Sequence, residues 1–270
     1  MIINTSKALI LGIVQGLTEF LPVSSSGHLV VLQNYLGFKK PLLLFDLILH
    51  GATLAAVIVY FRKELWKIIL SIFAWKKKGE YEIQGRKIFY LIIIGTIPTG
   101  LIGLIFKKSI ESLFANVTFA SLMFLFTGSF LWIGERRAKS NKGIKETKTI
   151  DALLIGIMQG IAILPGVSRS GMTISTGLLR KMNKEFAFEF SFLLSIPAII
   201  GALILEIKES MVEKTIPENF LPWIGGALIS FIVGYISLTF LRKFVLKNKL
   251  FLFSYYCWIL GGVLLISRYL

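Results

Sequence analysis

Cysteine and histidine are nearly absent from this chain, with one Cys and two His among 270 residues. A lone Cys257 cannot form an internal disulfide framework, and so small a set argues against a His/Cys zinc site. Acid is scarce too: 15 Asp and Glu stand against 30 Lys and Arg, for a formal net charge of +15. Polar sequence is too thin to cover a soluble domain, since 55% of the residues are hydrophobic and mean hydropathy is +0.75. The short alternating segments that a membrane barrel requires are missing. No secretory leader is evident, because the run 8–21 contains Gln15 and Glu19 and no small-residue cleavage site follows. What remains is an all-α polytopic membrane protein, the other structure that a bilayer admits.

What is present is a duplication. Residues 8–31 and 152–175 align without a gap at an offset of 144, and 10 of 24 positions are identical. The matches include Gly12/Gly156, Gln15/Gln159, Gly16/Gly160, Ser24/Ser168, Ser26/Ser170 and Gly27/Gly171. Each copy is an apolar run broken by Pro, Gly and Ser before it is long enough to cross a bilayer. Paired, interrupted apolar segments in corresponding halves point to a binding site at the membrane midplane.

Six uninterrupted apolar runs predict full transmembrane helices at 42–61, 86–106, 116–133, 186–206, 220–241 and 250–267. The broken segments, 8–36 and 152–180, read as re-entrant hairpins whose bends are tolerable only under cover of protein or a cavity. Residues 1–133 then form a first repeat and 152–270 a second, joined by a basic link at 134–151. Three crossings per repeat is an odd number, so the second repeat is expected to be inverted and the hairpins to enter from opposite faces. Basic residues set the orientation. Segments 62–87, 134–151, Arg180 to Lys184 and Arg242 to Lys249 hold 21 of the 30, and Lys7, Lys39, Lys40, Lys107, Lys108, Lys208, Lys214 and Arg268 lie on the other side. By the positive-inside rule the richer side is cytoplasmic, with both termini and the first hairpin's mouth outside. The basic surplus is thus topological, and no loop offers a module that reads nucleic acid.

Ionisable groups at membrane depth are functional candidates, and here they are Glu19, His28, Asp46, His50, Arg169 and Glu189. Gln15 and Glu19 stand four apart and share a helix face. Gly12 and Gly16 could make that face a close helix contact, but a buried carboxylate needs a partner. One carboxylate with an amide oxygen suits a hard divalent cation such as Mg²⁺ or Ca²⁺, so Glu19 and Gln15 are the candidate metal ligands. Ser24, Ser25, Ser26, Gly27 and His28 open the second half-helix of the first hairpin; Ser168, Arg169, Ser170 and Gly171 repeat the pattern. One serine suffices as an N-cap; several, followed by glycine, leave hydroxyls and N–H groups in the bend. Two half-helix N-termini would converge as an anion site, where Arg169 can grip phosphate oxygens or pair with Glu19. His28 is the candidate for proton transfer or nucleophilic attack. His50 reads as a packed, hydrogen-bonded histidine. Phe45-Asp46 and Phe188-Glu189 recur at an offset of 143 and read as equivalent supporting or helix-start acids.

Gln15-Gly-Leu-Thr-Glu19-Phe-Leu-Pro-Val-Ser-Ser-Ser-Gly-His28 and Pro165-Gly-Val-Ser-Arg-Ser-Gly-Met-Thr173 resemble the two signature motifs of the bacterial undecaprenyl-diphosphate phosphatases, also called bacitracin-resistance proteins. The resemblance extends over the whole chain. It implies a multi-pass enzyme of the bacterial plasma membrane that removes the terminal phosphate of undecaprenyl diphosphate, regenerating the lipid carrier for peptidoglycan synthesis, with its site opening to the extracytoplasmic side. Carried onto this chain, the acidic motif falls on Gln15 and Glu19, the serine–histidine element on Ser25, Ser26 and His28, and the arginine motif on Ser168, Arg169, Ser170 and Thr173. Gln15 replaces the glutamate of many members, which leaves one fewer ligand charge for a metal. Ser25 is the expected nucleophile, with His28 and water as alternatives. The expected partners are a polyprenyl diphosphate and the bilayer; oligomeric state is open, with a homodimer allowed.

Two rivals remain to be weighed. Inverted repeats with broken helices are also transporter architecture, so a lipid-carrier flippase is the alternative. The acid-phosphatase-like lipid phosphatases also use Ser-Gly-His and Ser-Arg, but no Arg-Pro dipeptide occurs here and no histidine follows Arg169. That rival is rejected.

Overall fold

A computed structural model describes residues 3–38, 42–74, 79–114, 116–137, 141–213 and 220–267. Lys39, Lys40, Lys76 to Lys78, Lys139, Lys214 and Arg268, all used in the expected topology, lie outside the described residues. Every regular element among the described residues is an α-helix, and the chain forms a polytopic membrane protein.

The first broken segment folds as α1 (Thr5–Phe20) and α2 (Ser25–Tyr35), the second as α8 (Thr149–Ile161) and α9 (Arg169–Leu179). The apolar runs become α3 (Leu43–Tyr60), α5 (Glu80–Ile105), α7 (Val117–Arg136), α10 (Lys184–Glu213), α11 (Leu221–Leu246) and α12 (Phe251–Ile266). Four of these are long and apolar enough to cross a bilayer: Glu80–Ile105, Val117–Arg136, Lys184–Lys208 and Leu221–Leu246. A fifth is Leu44–Tyr60 taken together with Arg62–Phe73, a pair bent by 74°. At 16 residues α12 is about 24 Å long, short of a hydrocarbon core of about 30 Å.

Two helices arise where loops were expected, α4 (Arg62–Phe73) and the short α6 (Lys107–Leu113). Basic residues in 62–87 hide the periodicity of α4, which buries Ile68 and Ser71 while exposing Trp66, Ile69, Leu70 and Phe73. Such a helix, set at an angle to the span before it, has the pattern of one lying in the membrane interface.

The packing is an exchange. Helix α1 lies along α11, and α8 lies along α5, so each hairpin packs on a span from the other half. Small residues make both approaches possible. A Cβ at Gly16 would stand 2.8 Å from the Ser230 carbonyl oxygen, and one at Gly156 would stand 2.0 Å from that of Gly95. At the second interface Thr99 Oγ1 also donates to the Gly156 carbonyl at 2.9 Å. Between the halves α7 pairs with α12 and α3 with α10. Phe61, Phe188 and Phe192 cluster where α3 meets α10, with Phe61 stacked on Phe192, and Phe20 of α1 meets Phe192 edge-on at 5.6 Å.

The link and the second hairpin are clamped by Asp151. Its buried carboxylate accepts from Arg180 Nε at 2.6 Å, Lys142 Nζ at 3.2 Å and the Lys148 backbone N–H at 2.9 Å. Asn141 and Lys142 N–H groups reach the Lys181 carbonyl, and the Asn183 N–H returns to the Lys142 carbonyl. Burial pushes the Asp151 carboxyl up, but the Lys148 N–H, Arg180 and Lys142 outweigh it and hold the group below its ordinary value.

Two tests follow from this packing. Gly156→Ala must push backbone apart and should cost about 1–3 kcal/mol in unfolding of the purified protein. Gly262→Ala, inside α12 where a Cβ meets nothing within 4 Å, should not lower the melting temperature and should raise it slightly. Asp151→Asn should lose about 2 kcal/mol at neutral pH through its charge-assisted bonds. A depressed carboxyl stabilises above its unfolded value of about 3.9 and stops doing so as pH falls through the folded value. The gap between wild type and Asp151→Asn should therefore close below about pH 4, and a gap that persists would count against the clamp.

Candidate active site

Both bends are built from residues that stop a helix. Pro22 follows the end of α1, and Ser24 turns the chain with φ +66°, a value that few non-glycine residues adopt. Its Oγ caps α2 by accepting from the Gly27 N–H at 3.3 Å. In the second hairpin Gly166 takes the positive φ, at +92°, and Ser168 Oγ caps α9 through the Gly171 N–H at 3.1 Å. Each bend is held by a helix of the opposite half. Thr127 of α7 donates to the Gly166 carbonyl at 3.0 Å and accepts from the Ser168 N–H at 3.2 Å. Cys257 of α12 turns its thiol toward the Pro22 carbonyl at 3.8 Å.

The bends touch. A Cβ at Gly27 would stand 2.9 Å from Gly166 Cα and 2.6 Å from the Phe124 ring. Glu19 is the hub between them. Its Oε2 accepts from Ser25 Oγ at 2.6 Å and Gln15 Nε2 at 3.1 Å, and faces His50 Nε2 at 3.4 Å. Its Oε1 accepts from Arg169 Nη2 at 3.0 Å. The guanidinium lies over the Phe192 ring at 5.6 Å. Among the described residues two buried polar atoms of the cluster, Gln15 Oε1 and Arg169 Nη1, have no protein partner. Each leaves hydrogen-bonding capacity beside Glu19 unused by the protein.

Of the expected residues, Gln15, Glu19, Ser25 and Arg169 are thus in direct contact. Ser24 and Ser26 share a hydroxyl contact of 3.3 Å, as do Ser168 and Ser170. Gly27 and Gly171 sit in the first turns; a Cβ would clash at Gly27 and would be a tight fit at Gly171, 3.2 Å from the Ser168 side chain. Thr173 Oγ1 reaches back to the Arg169 carbonyl at 2.8 Å and ties α9 to α10 through Ser191 Oγ at 2.5 Å. His28 faces α7 and α12 instead of Ser25. Its Nδ1 meets the Ser24 carbonyl at 2.7 Å, its Nε2 meets Tyr256 Oη at 2.7 Å, and its ring stands edge-on to Phe124.

His50 was expected to be packed and hydrogen-bonded, with no polar cluster beside it. Its Nδ1 does bond the Asp46 carbonyl at 2.7 Å, yet its Nε2 points at Glu19. The Asp46–His50 spacing repeats the four-residue step of Gln15–Glu19, the one sequence signal that marked it. Asp46 sits in the first turn of α3 and accepts from Gln33 Nε2 at 2.7 Å. Glu189 lines a separate cavity of about 200 Å³ with Tyr60, Glu64, Glu185 and Arg242.

One carboxylate is surrounded by a guanidinium, an imidazole and the N-terminal turns of two helices, an arrangement that favours an anion. Among the described residues no three His, Cys, Asp or Glu side chains gather as a metal site. A hard cation, were one to bind, would find its protein oxygens in the Glu19 carboxylate, already engaged by Ser25, Gln15 Nε2 and Arg169, and in Gln15 Oε1.

Comparison with known proteins gives a consistent picture. The profile of the family described as bacitracin resistance protein BacA matches residues 8–263. Curated proteins named undecaprenyl-diphosphatase are similar over almost the full chain. The one from Carboxydothermus hydrogenoformans is 45% identical, over 98% of this chain and 98% of its own. That from Alkaliphilus metalliredigens is 42% identical over 97% and 98%, and that from Methanobrevibacter smithii 40% over 94% and 94%.

The Glu19–Arg169 contact is buried on both sides, with side-chain exposures of 6% and 14%. Removing either partner strands a buried charge, which costs about 3–5 kcal/mol. Glu19→Gln and Arg169→Met should each lower stability by that order. The double variant should fall well short of their sum when unfolding is measured in detergent, and strict additivity would mean that the ion pair does not hold the hairpins together.

Proposed function

We infer that the chain, which belongs to the bacitracin resistance protein BacA family, is a membrane-embedded undecaprenyl-diphosphate phosphatase. It hydrolyses undecaprenyl diphosphate to undecaprenyl phosphate and inorganic phosphate, and so returns the lipid carrier to cell-wall synthesis and confers bacitracin resistance. The observation that carries the reading is the 2.6 Å bond from Ser25 Oγ to Glu19, beside a guanidinium with one open nitrogen, where two helix N-termini meet.

The roles follow from that geometry. Arg169 Nη1 and the N–H groups of the two first turns, with the hydroxyls of Ser24, Ser26, Ser168 and Ser170 around them, hold the diphosphate and neutralise charge that grows on the leaving oxygen. Ser25 Oγ attacks the terminal phosphorus, its proton passes to Glu19, and polyprenyl phosphate leaves. Water then attacks the phosphoseryl phosphorus, the Ser25 oxygen leaves by taking its proton back from Glu19, and dihydrogen phosphate is released. His50 and Gln15 keep the carboxylate turned toward Ser25. A divalent cation, Mg²⁺ or Ca²⁺, held by Glu19 and Gln15 Oε1, supplies further positive charge against the phosphate when bound.

The membrane placement is also our reading. Six spans, counting α3 and the short α12, and two re-entrant hairpins make two inverted repeats, 1–133 and 152–270, joined by 134–151. The crosswise packing of α1 on α11 and α8 on α5 supports it, as does the basic surplus of one set of loops. On that placement the site opens to the extracytoplasmic side and both termini lie outside.

Purified protein in detergent should release phosphate from undecaprenyl diphosphate. Ser25→Ala and Arg169→Ala should each lower kcat by about 10²-fold or more while the protein stays folded. Brief reaction with substrate labelled in the terminal phosphate should leave label on Ser25. Full turnover by Ser25→Ala, with no label on any residue, would replace the covalent scheme by direct attack of water.

A further inference from the structure

Arg169 meets Glu19 through Nη2, at 3.0 Å, and one such bond leaves a planar guanidinium free to swing about it. Nη1, the nitrogen left for phosphate, is useful only where that swing is stopped. The stop is an aromatic face. Arg169 Cζ lies over the Phe192 ring, 5.6 Å from its centroid, within the reach at which the negative face of a ring attracts a cation. The Arg169 side chain is only 14% exposed, so little water competes for that attraction, and a desolvated pair is the stronger kind.

Phe192 is itself fixed. It is fully buried in α10, with Phe61 stacked on it at 6.0 Å and Phe188 edge-on at 5.0 Å. Phe20, the residue after Glu19, closes edge-on at 5.6 Å. The residue before it, Ser191, bonds Thr173 one turn beyond Arg169, so α10 and α9 are tied at this level. The same ring thus touches the helix end that carries the carboxylate and the side chain that carries the cation. Phe186, Phe188, Phe190 and Phe192 of α10 are all buried, and of these Phe192 carries the guanidinium.

We propose that Phe192 is a positioning residue of the phosphatase: the face of its ring holds the Arg169 guanidinium with Nη2 on Glu19 and Nη1 free for the phosphate. Phe192 acts through Arg169 and touches no substrate. The proposal rests on the reading of Arg169 as a phosphate ligand. A ring face attracts the guanidinium without offering a hydrogen-bond acceptor, so no N–H is drawn away from the oxygens it must meet. A hydroxyl or an amide in the same place would capture one.

The charge distribution of a ring can be changed while its shape is nearly kept. Fluorine drains electron density from the face, so mono-, di- and trifluorophenylalanine introduced in place of Phe192 weaken its hold on a cation step by step. With undecaprenyl diphosphate in detergent, kcat/KM should fall at each step, to a loss of roughly tenfold with three fluorines. The same series at Phe190, equally buried and packed against Phe186, should leave kcat/KM within about twofold of wild type. A flat series at Phe192, or an equal decline at Phe190, would overturn the proposal, since packing alone then accounts for the ring. Should Arg169→Ala be inactive while the Phe192 series is flat, the phosphatase mechanism survives and Phe192 alone is dismissed. Wild-type turnover by Arg169→Ala would instead remove Arg169 from the phosphate site and Phe192 with it.

Discussion

Everything at the centre of this protein depends on one carboxylate being paid back for its burial. Glu19 sits among apolar helices, where an uncompensated charge costs several kcal/mol. Its two oxygens are satisfied by Ser25, Gln15 and Arg169, with His50 facing the same side. Arg169 comes from the other hairpin, 150 positions away. The ion pair therefore ties the two bends to one another, and the small residues that allow α1 onto α11 and α8 onto α5 bring them within reach.

The duplicated segments have become specialised within that contact. Ser25 and Arg169 are equivalent positions, each the first residue of its half-helix, and both donate to Glu19. The position equivalent to Glu19 is Ile163, so the second copy contributes a cation and no acid. Gln159, the partner of Gln15 in the repeat, instead donates to Thr99 Oγ1 and the Leu194 carbonyl at the α5 and α10 contacts. One copy supplies the hydroxyl and the carboxylate, the other the guanidinium. Two identical sites would have placed like charges together. The difference at two positions creates a complementary pair at their junction.

Much of this was legible in residue order. Broken segments at 8–36 and 152–180, apolar runs for the long helices, and the presence of Glu19 and Arg169 at the bends all follow from local patterns. Helices α4 and α6 were not legible, because short helices that carry several charges read as loop. His50 was half-visible, its four-residue step from Asp46 hidden inside an apolar run. Tyr256 was invisible: a tyrosine in an aromatic-rich span has nothing in its neighbourhood to separate it from lipid-facing rings, and its partner is in α2.

Residue order by itself determined the helical class, the places where helices must break, and the kinds of charge available at membrane depth. These are short-range matters of hydropathy, caps and backbone torsion, settled within a few turns of chain. Tertiary structure alone decided which oxygen meets which nitrogen, that His50 turns toward Glu19, and that Tyr256 holds His28. Such pairings depend on which helix faces approach closely, and that is set by glycine contacts between segments far apart in the chain.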